Sequence, residues 1–249
     1  MAPMIRMQLK GIISFNWKLG FALILIFGVI RFLIVTYSIQ TGDNKYLSFI
    51  FLLMILMPFI LLNKEGRKSI GIQKIRHLKW IFYAFLLAAV SCGFMHLVGD
   101  SLFGSDISNW FRYIGESYPI DLTAIDSEDK LVYFVIFALI GMTFSPFGEE
   151  LMYRGVIHGS LVPKFGERNA AIIDSAAFGI THLAHFGLVY YEGSWQFLTI
   201  PALLWVIFIF FTGLLFNFCK TKTGSIWGAV IAHMAFNITM TYFIFYHIF

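Results

Sequence analysis

Long apolar runs separated by short polar segments set the rhythm of this chain. Runs long enough to cross a bilayer fall at about 20–38, 46–62, 80–98, 131–161, 170–186, 200–218 and 226–248, since roughly 20 apolar residues at 1.5 Å each match the hydrocarbon thickness. The apolar residues do not alternate with polar ones as barrel strands do, and an open sheet edge finds no hydrogen-bond partner in lipid. Every span is therefore expected to be a helix. The expected fold is all-α, a polytopic membrane helical bundle of about seven to eight transmembrane helices. No repeat, low-complexity tract or soluble domain interrupts the pattern, so the chain reads as one integral membrane domain with a motif-free N-terminal part, 1–130, and a C-terminal part, 131–249, that holds the polar groups.

The polar segments give an orientation. Residues 1–19, 63–79, 162–169 and 219–225 lie on one side and carry 13 Lys or Arg, against Lys45, Arg112 and Lys130 on the other. Nine acids fall on that second side, seven of them between Asp100 and Asp129, whereas the basic segments hold Glu65 and Glu167. The positive-inside bias places the N-terminus in the cytoplasm and the C-terminus outside. Arg6, Lys10 and Lys18 precede the first span, and no small-residue cleavage site follows it, so it reads as a retained anchor. The stretch Asn63 to Lys79 reads either as an ordinary cytoplasmic loop or as a segment lying on anionic lipid through Ile70, Ile72, Ile75 and Leu78.

Composition agrees. With 59% hydrophobic and 13% charged residues and a mean hydropathy of +0.78, there is too little polar surface to cover a soluble globule. Cys92 and Cys219 both sit in or beside apolar runs and read as buried hydrophobes, not as a disulfide. The formal charge of +4 reports topology, and no nucleic-acid partner follows from it.

Five charged residues remain inside the spans: Arg31, Glu149, Glu150, Arg154 and Asp174. Each needs a partner or a task there. Arg31 stands alone and reads as a structural residue that snorkels to the outer interface, while an interfacial position near the basic face explains Asp174. Glu150 and Arg154 are i, i+4 neighbours on a helix and neutralise one another. Glu149 then has no local partner, which is the arrangement expected of a carboxylate kept for proton transfer. His182 lies mid-span, and His233 and Asn237 share a helix face at i, i+4. Counted from the cytoplasmic ends at about 1.5 Å per residue, Glu149 and His182 lie about 18 Å deep and His233 about 10–12 Å, so the three can share one layer. His96, His158, His185 and His247 are weaker candidates, with His185 a possible partner of His182. The small-xxx-small spacings Gly155/Gly159 and Gly224/Gly228 read as close helix packing.

Three ordered segments resemble the signature of the CAAX protease and bacteriocin-processing (Abi) family of intramembrane proteases. They are Glu149-Glu150 followed by Arg154, then Phe178 followed by His182, then His233 followed by Asn237. The resemblance covers roughly 131–240. It implies an all-helical membrane endopeptidase whose cavity opens toward the cytoplasm. Glu149 and His182 would activate the hydrolytic water, His233 and Asn237 would stabilise the oxyanion or position the water, and Glu150, Arg154 and Phe178 would support them. No cofactor is favoured: His-Glu-x-x-His is absent and Asn is a poor zinc ligand, while a zinc reading would use Glu149, His182 and His233. The implied partners are membrane lipid and a hydrophobic or lipidated peptide substrate of CAAX, pheromone or bacteriocin type. Two other classes are compatible with these residues, a non-enzymatic immunity or scaffold protein and a proton-coupled transporter.

Overall fold

The structure, a computed structural model, describes residues 4–9 and 11–249. Lys10, counted among the basic residues above, lies outside them. Nine α-helices run in chain order as α1 (Trp17–Thr41), α2 (Lys45–Leu61), α3 (Lys64–Ser69), α4 (Lys79–Phe103), α5 (Trp110–Glu116), α6 (Lys130–Glu150), α7 (His158–Thr181), α8 (Thr199–Thr223) and α9 (Ile226–Phe243) among the described residues. Five helical stretches are long and apolar enough to cross a membrane, with α2 a shorter apolar helix of 17 residues. The protein is thus an all-α, multi-pass membrane bundle. Residues such as Leu25, Val29 and Leu33 on α1, and Phe82 and Val90 on α4, turn apolar surface outward, as a lipid solvent requires.

The segment from α6 through α7 is not one straight helix. Pro146 removes one N–H from the ladder of α6, and a π-helical turn, Leu151–Ile157, follows directly after Glu150. At Gly166, φ 75° and ψ 166° break the helix, a conformation open to glycine. The chain reverses there at the basic face, so 130–165 and 167–181 run in opposite directions. With that reversal the seven expected spans are accounted for.

Glycines let the central helices touch. A Cβ on Gly148 would stand 2.9 Å from the Phe51 carbonyl oxygen of α2, one on Gly179 3.0 Å from the Val206 carbonyl oxygen of α8, and one on Gly28 3.2 Å from Thr181 Cγ2. Because the obstacle at Gly148 is backbone, Gly148→Val is expected to cost about 1–3 kcal/mol of stability, read as a lowered thermal unfolding midpoint.

Two expectations need correction. The Asn63–Lys79 stretch is a loop, but it does not lie on lipid through Ile70. It begins with α3, and Ile70 is buried against the backbone of Gly155 and Gly159, where added Cβ atoms would meet its side chain at 3.2 and 2.7 Å. That glycine pair therefore receives a loop residue instead of a helix. In addition, a short antiparallel hairpin, β1 (Leu188–Tyr191) and β2 (Ser194–Phe197), turns at Glu192-Gly193 between α7 and α8. Its Tyr190 N–H donates to the Tyr113 hydroxyl of α5 at 2.8 Å. Cys92 and Cys219 are buried free thiols, as expected.

Candidate active site

Glu149 and Glu150 end α6 with no exposed side-chain surface. Around them the bundle assembles polar residues from α1, α7, α8 and α9. Glu150 Oε1 accepts from Arg154 Nη1 at 3.2 Å, the local pair that the spacing predicts, and also from His233 Nδ1 at 2.9 Å. A carboxylate only accepts, so the His233 proton sits on Nδ1 and its Nε2 faces Glu149 Oε2 at 3.8 Å. On the other side, His182 Nδ1 donates to the Phe178 carbonyl at 2.7 Å, leaving its Nε2 at 4.0 Å from the same Glu149 oxygen. Trp205 of α8 fixes this end of α7 by donating to the His182 carbonyl at 3.0 Å. Glu149, His182 and His233 are therefore brought together, with two imidazole Nε2 atoms within 4.0 Å of one carboxylate oxygen.

Glu149 has a partner that sequence reasoning missed. Arg31 Nη2 stands 2.6 Å from Glu149 Oε1, 3.4 Å from His182 Nε2 and 3.0 Å from His185 Nε2. Arg31 is 2% exposed, so it does not snorkel. The close approach of α1 to Thr181 at Gly28 carries Arg31, one turn on, to the histidines of the next segment. The contact with Glu149 is an ion pair without hydrogen-bond alignment, and both Glu149 oxygens are buried without an aligned donor. His185 enters the site through Arg31, its ring 5.5 Å from that of His182. The site is thus not confined to 131–249.

Asp174 is also corrected. It is buried, not interfacial: Oδ1 accepts from Asn217 Nδ2 at 2.8 Å and lies 3.8 Å from Arg154 Nε, while Oδ2 meets His158 Nδ1 at 2.7 Å. His158 Nε2 in turn meets the exposed Glu167 at 2.9 Å. Arg154 thereby serves both Glu150 and Asp174. Its guanidinium lies over the Phe178 ring at 4.0 Å, and Gly213 leaves room for it, since a Cβ there would fall 2.7 Å from Nη2. Phe178 acts here as a platform for Arg154 and packs at a tilt against the His182 ring, 4.4 Å between centroids.

A cavity of about 530 Å³ reaches this cluster. Arg31, His182, His185, His233 and Asn237 line its floor, and Phe51, Phe137, Ile140, Phe144, Phe236 and Met240 its walls. Asn237 spends one N–H on the Gly141 carbonyl at 2.8 Å, tying α9 to α6. The residues do not fit zinc as arranged. Ligand distances of about 2.0–2.2 Å put neighbouring donors roughly 3.3 Å apart, whereas Glu149 Oε2 lies 3.8 and 4.0 Å from the two nitrogens. The Arg31 cation already faces two of the three donors, and no group of three His, Cys, Asp or Glu among the described residues is placed to hold a metal. The cavity lining extends to Asn44 and Ser117–Pro119. That is the end of the bundle opposite the basic segments.

Residues 131–239 match the family model described as Rce1-like, type II CAAX prenyl endopeptidase Rce1-like. The match takes in Glu149, Glu150, Arg154, Phe178, His182, His233 and Asn237 and is consistent with a protease of the CAAX protease and bacteriocin-processing family. No curated protein and no solved structure matches the chain.

Proposed function

Starting from a C-terminal segment of the CAAX-type intramembrane protease kind, we propose that the chain is an endopeptidase hydrolysing a hydrophobic or lipid-associated peptide, with Glu149 as general base toward water. The observation that carries this reading is Glu149 Oε2 at 3.8 and 4.0 Å from the Nε2 atoms of His233 and His182, two residues that line an apolar-walled cavity. A water placed between Glu149 Oε2 and His233 Nε2 would hydrogen-bond to both, about 2.8 Å from each. Such a water donates one hydrogen to Glu149 and the other to an imidazole, which aims its lone pair into the cavity.

As the water oxygen bonds to the scissile carbonyl carbon, Glu149 takes its proton. The developing oxyanion meets Arg31 and the second N–H of Asn237. His233, with its proton committed to Glu150, offers an acceptor to the cavity and becomes a donor only after gaining a second proton. Glu149 passes the proton it took to the amine nitrogen as the carbon–nitrogen bond breaks, and the second water proton, left on the new carboxyl group, moves by way of His233 to the departing amine, giving a carboxylate and an ammonium group. Arg31 supplies the counter-charge that a buried carboxylate requires. The N-terminus is cytoplasmic in this reading, on the charge distribution alone.

The purified chain is tested on lipidated and hydrophobic peptides with products read by mass spectrometry. Cleavage is expected, and a zinc chelator is expected to leave its rate unchanged. Chelator-sensitive cleavage restored by zinc overturns the metal-free mechanism. A folded chain that cuts no peptide overturns the hydrolytic reading in favour of a binding protein.

A further inference from the structure

The cavity above Glu149 runs in one direction. Its lining residues on α6 all precede Glu149 toward Lys130, those on α2 occupy the N-terminal half of that helix, and those on α9 follow or include His233 toward the chain end. In the other direction every residue from Leu151 to His158 is buried, and Arg154 with Asp174 fills the layer beneath. A second cavity, of about 890 Å³, opens on the basic face beside Lys220, Arg168 and His158, and it shares no lining residue with the first. The catalytic floor is therefore reached from the face of Asn44 and Ser117–Pro119 and sealed from the face of the basic loops.

Charge says which face that is. Twelve Lys or Arg among the described residues mark the sealed face, whereas the open face holds nine acids against three bases, a net of −6. Basic loops stay in the cytoplasm. Resting on the hydrolytic reading above, we propose that substrate reaches Glu149 from the extracytoplasmic face, and that this face selects peptides whose segment outside the membrane is net positive. A one-signed field at the mouth concentrates oppositely charged ligand and speeds its capture, an effect that salt screens. The substrate class is then a membrane-associated peptide already exposed on the outer side, such as an exported cationic peptide.

The test separates sidedness from chemistry. Ser127→Cys and Lys222→Cys place thiols on exposed positions of the two faces, with native Cys92 and Cys219 buried. In intact cells a membrane-impermeant maleimide is expected to label Ser127→Cys and not Lys222→Cys, and the reverse pattern overturns the proposal whatever the enzyme activity. A synthetic hydrophobic peptide with a polybasic tail is then given to detergent-solubilised protein, right-side-out vesicles and inverted vesicles. Cleavage is expected in the first two, at least ~10-fold faster than in inverted vesicles, and ~10-fold faster than for the polyacidic counterpart, a gap that closes in high salt. Cleavage in detergent but confined to inverted vesicles overturns the sidedness and leaves the protease reading intact. No cleavage in any preparation, detergent included, overturns the protease reading itself. Equal rates for both tails at low salt overturn the charge selection.

Discussion

Glu149→Gln is expected to reduce peptide hydrolysis by about 10²–10⁴-fold, the share that a positioned general base contributes. Gln has the shape of Glu but cannot take the water proton, so substrate affinity should change far less than turnover. The substitution also leaves Arg31 buried without its counter-charge, and breaking a buried pair costs about 3–5 kcal/mol, reduced here by the bond from Arg31 to His185. A double-mutant cycle separates the two effects. Arg31→Met combined with Glu149→Gln removes both charges together and should recover much of the thermal stability that Glu149→Gln loses. Its activity should stay at the level of Glu149→Gln. A folded Glu149→Gln protein that hydrolyses peptide at the unaltered rate would exclude Glu149 as the base.

The contacts legible in the sequence are those that helix geometry generates locally. Glu150 with Arg154 follows from i, i+4 spacing, and rise per residue along the apolar spans leaves Glu149, His182 and His233 free to share a layer without requiring it. Arg31 was not legible as a partner of Glu149, because 118 positions separate them and nothing in α1 says which neighbour its polar face meets. A weak signal existed. Five intramembrane charges comprise two cations and three acids, and only one pair is local, so Arg31 had to be sought by an acid elsewhere. Asp174 was misplaced for a related reason: its depth was counted from an assumed helix start, but the chain reverses at Gly166 and packs Asp174 against α8, where Asn217 waits. Ile70 on Gly155 and Gly159 is a third case, since small residues at helical spacing announce a close approach without saying what approaches. The direction of the cavity was hidden too, because it depends on which side chains fill the layer below Glu149.

That filled layer gives the second large effect. Arg154→Met is expected to prevent accumulation of folded protein, because it leaves Glu150 and Asp174, neither with exposed side-chain surface, without their shared cation. Each stranded carboxylate costs several kcal/mol, and the loss approaches or exceeds the 5–15 kcal/mol that holds a typical protein folded. Met keeps the apolar contact with Phe178, so lost packing does not account for the result. Combining Arg154→Met with Asp174→Asn and Glu150→Gln removes the stranded charges while keeping the shapes, and folded protein should return, as measured by size-exclusion profile and thermal midpoint in detergent. The triple variant should still fail to hydrolyse peptide, since His233 loses the carboxylate that fixes its tautomer and its ring would no longer hold Nε2 toward Glu149. Arg154→Met that folds as well as the unaltered chain would show that the two acids are already neutral in the bundle, and charge would then not be what holds the layer beneath Glu149 together.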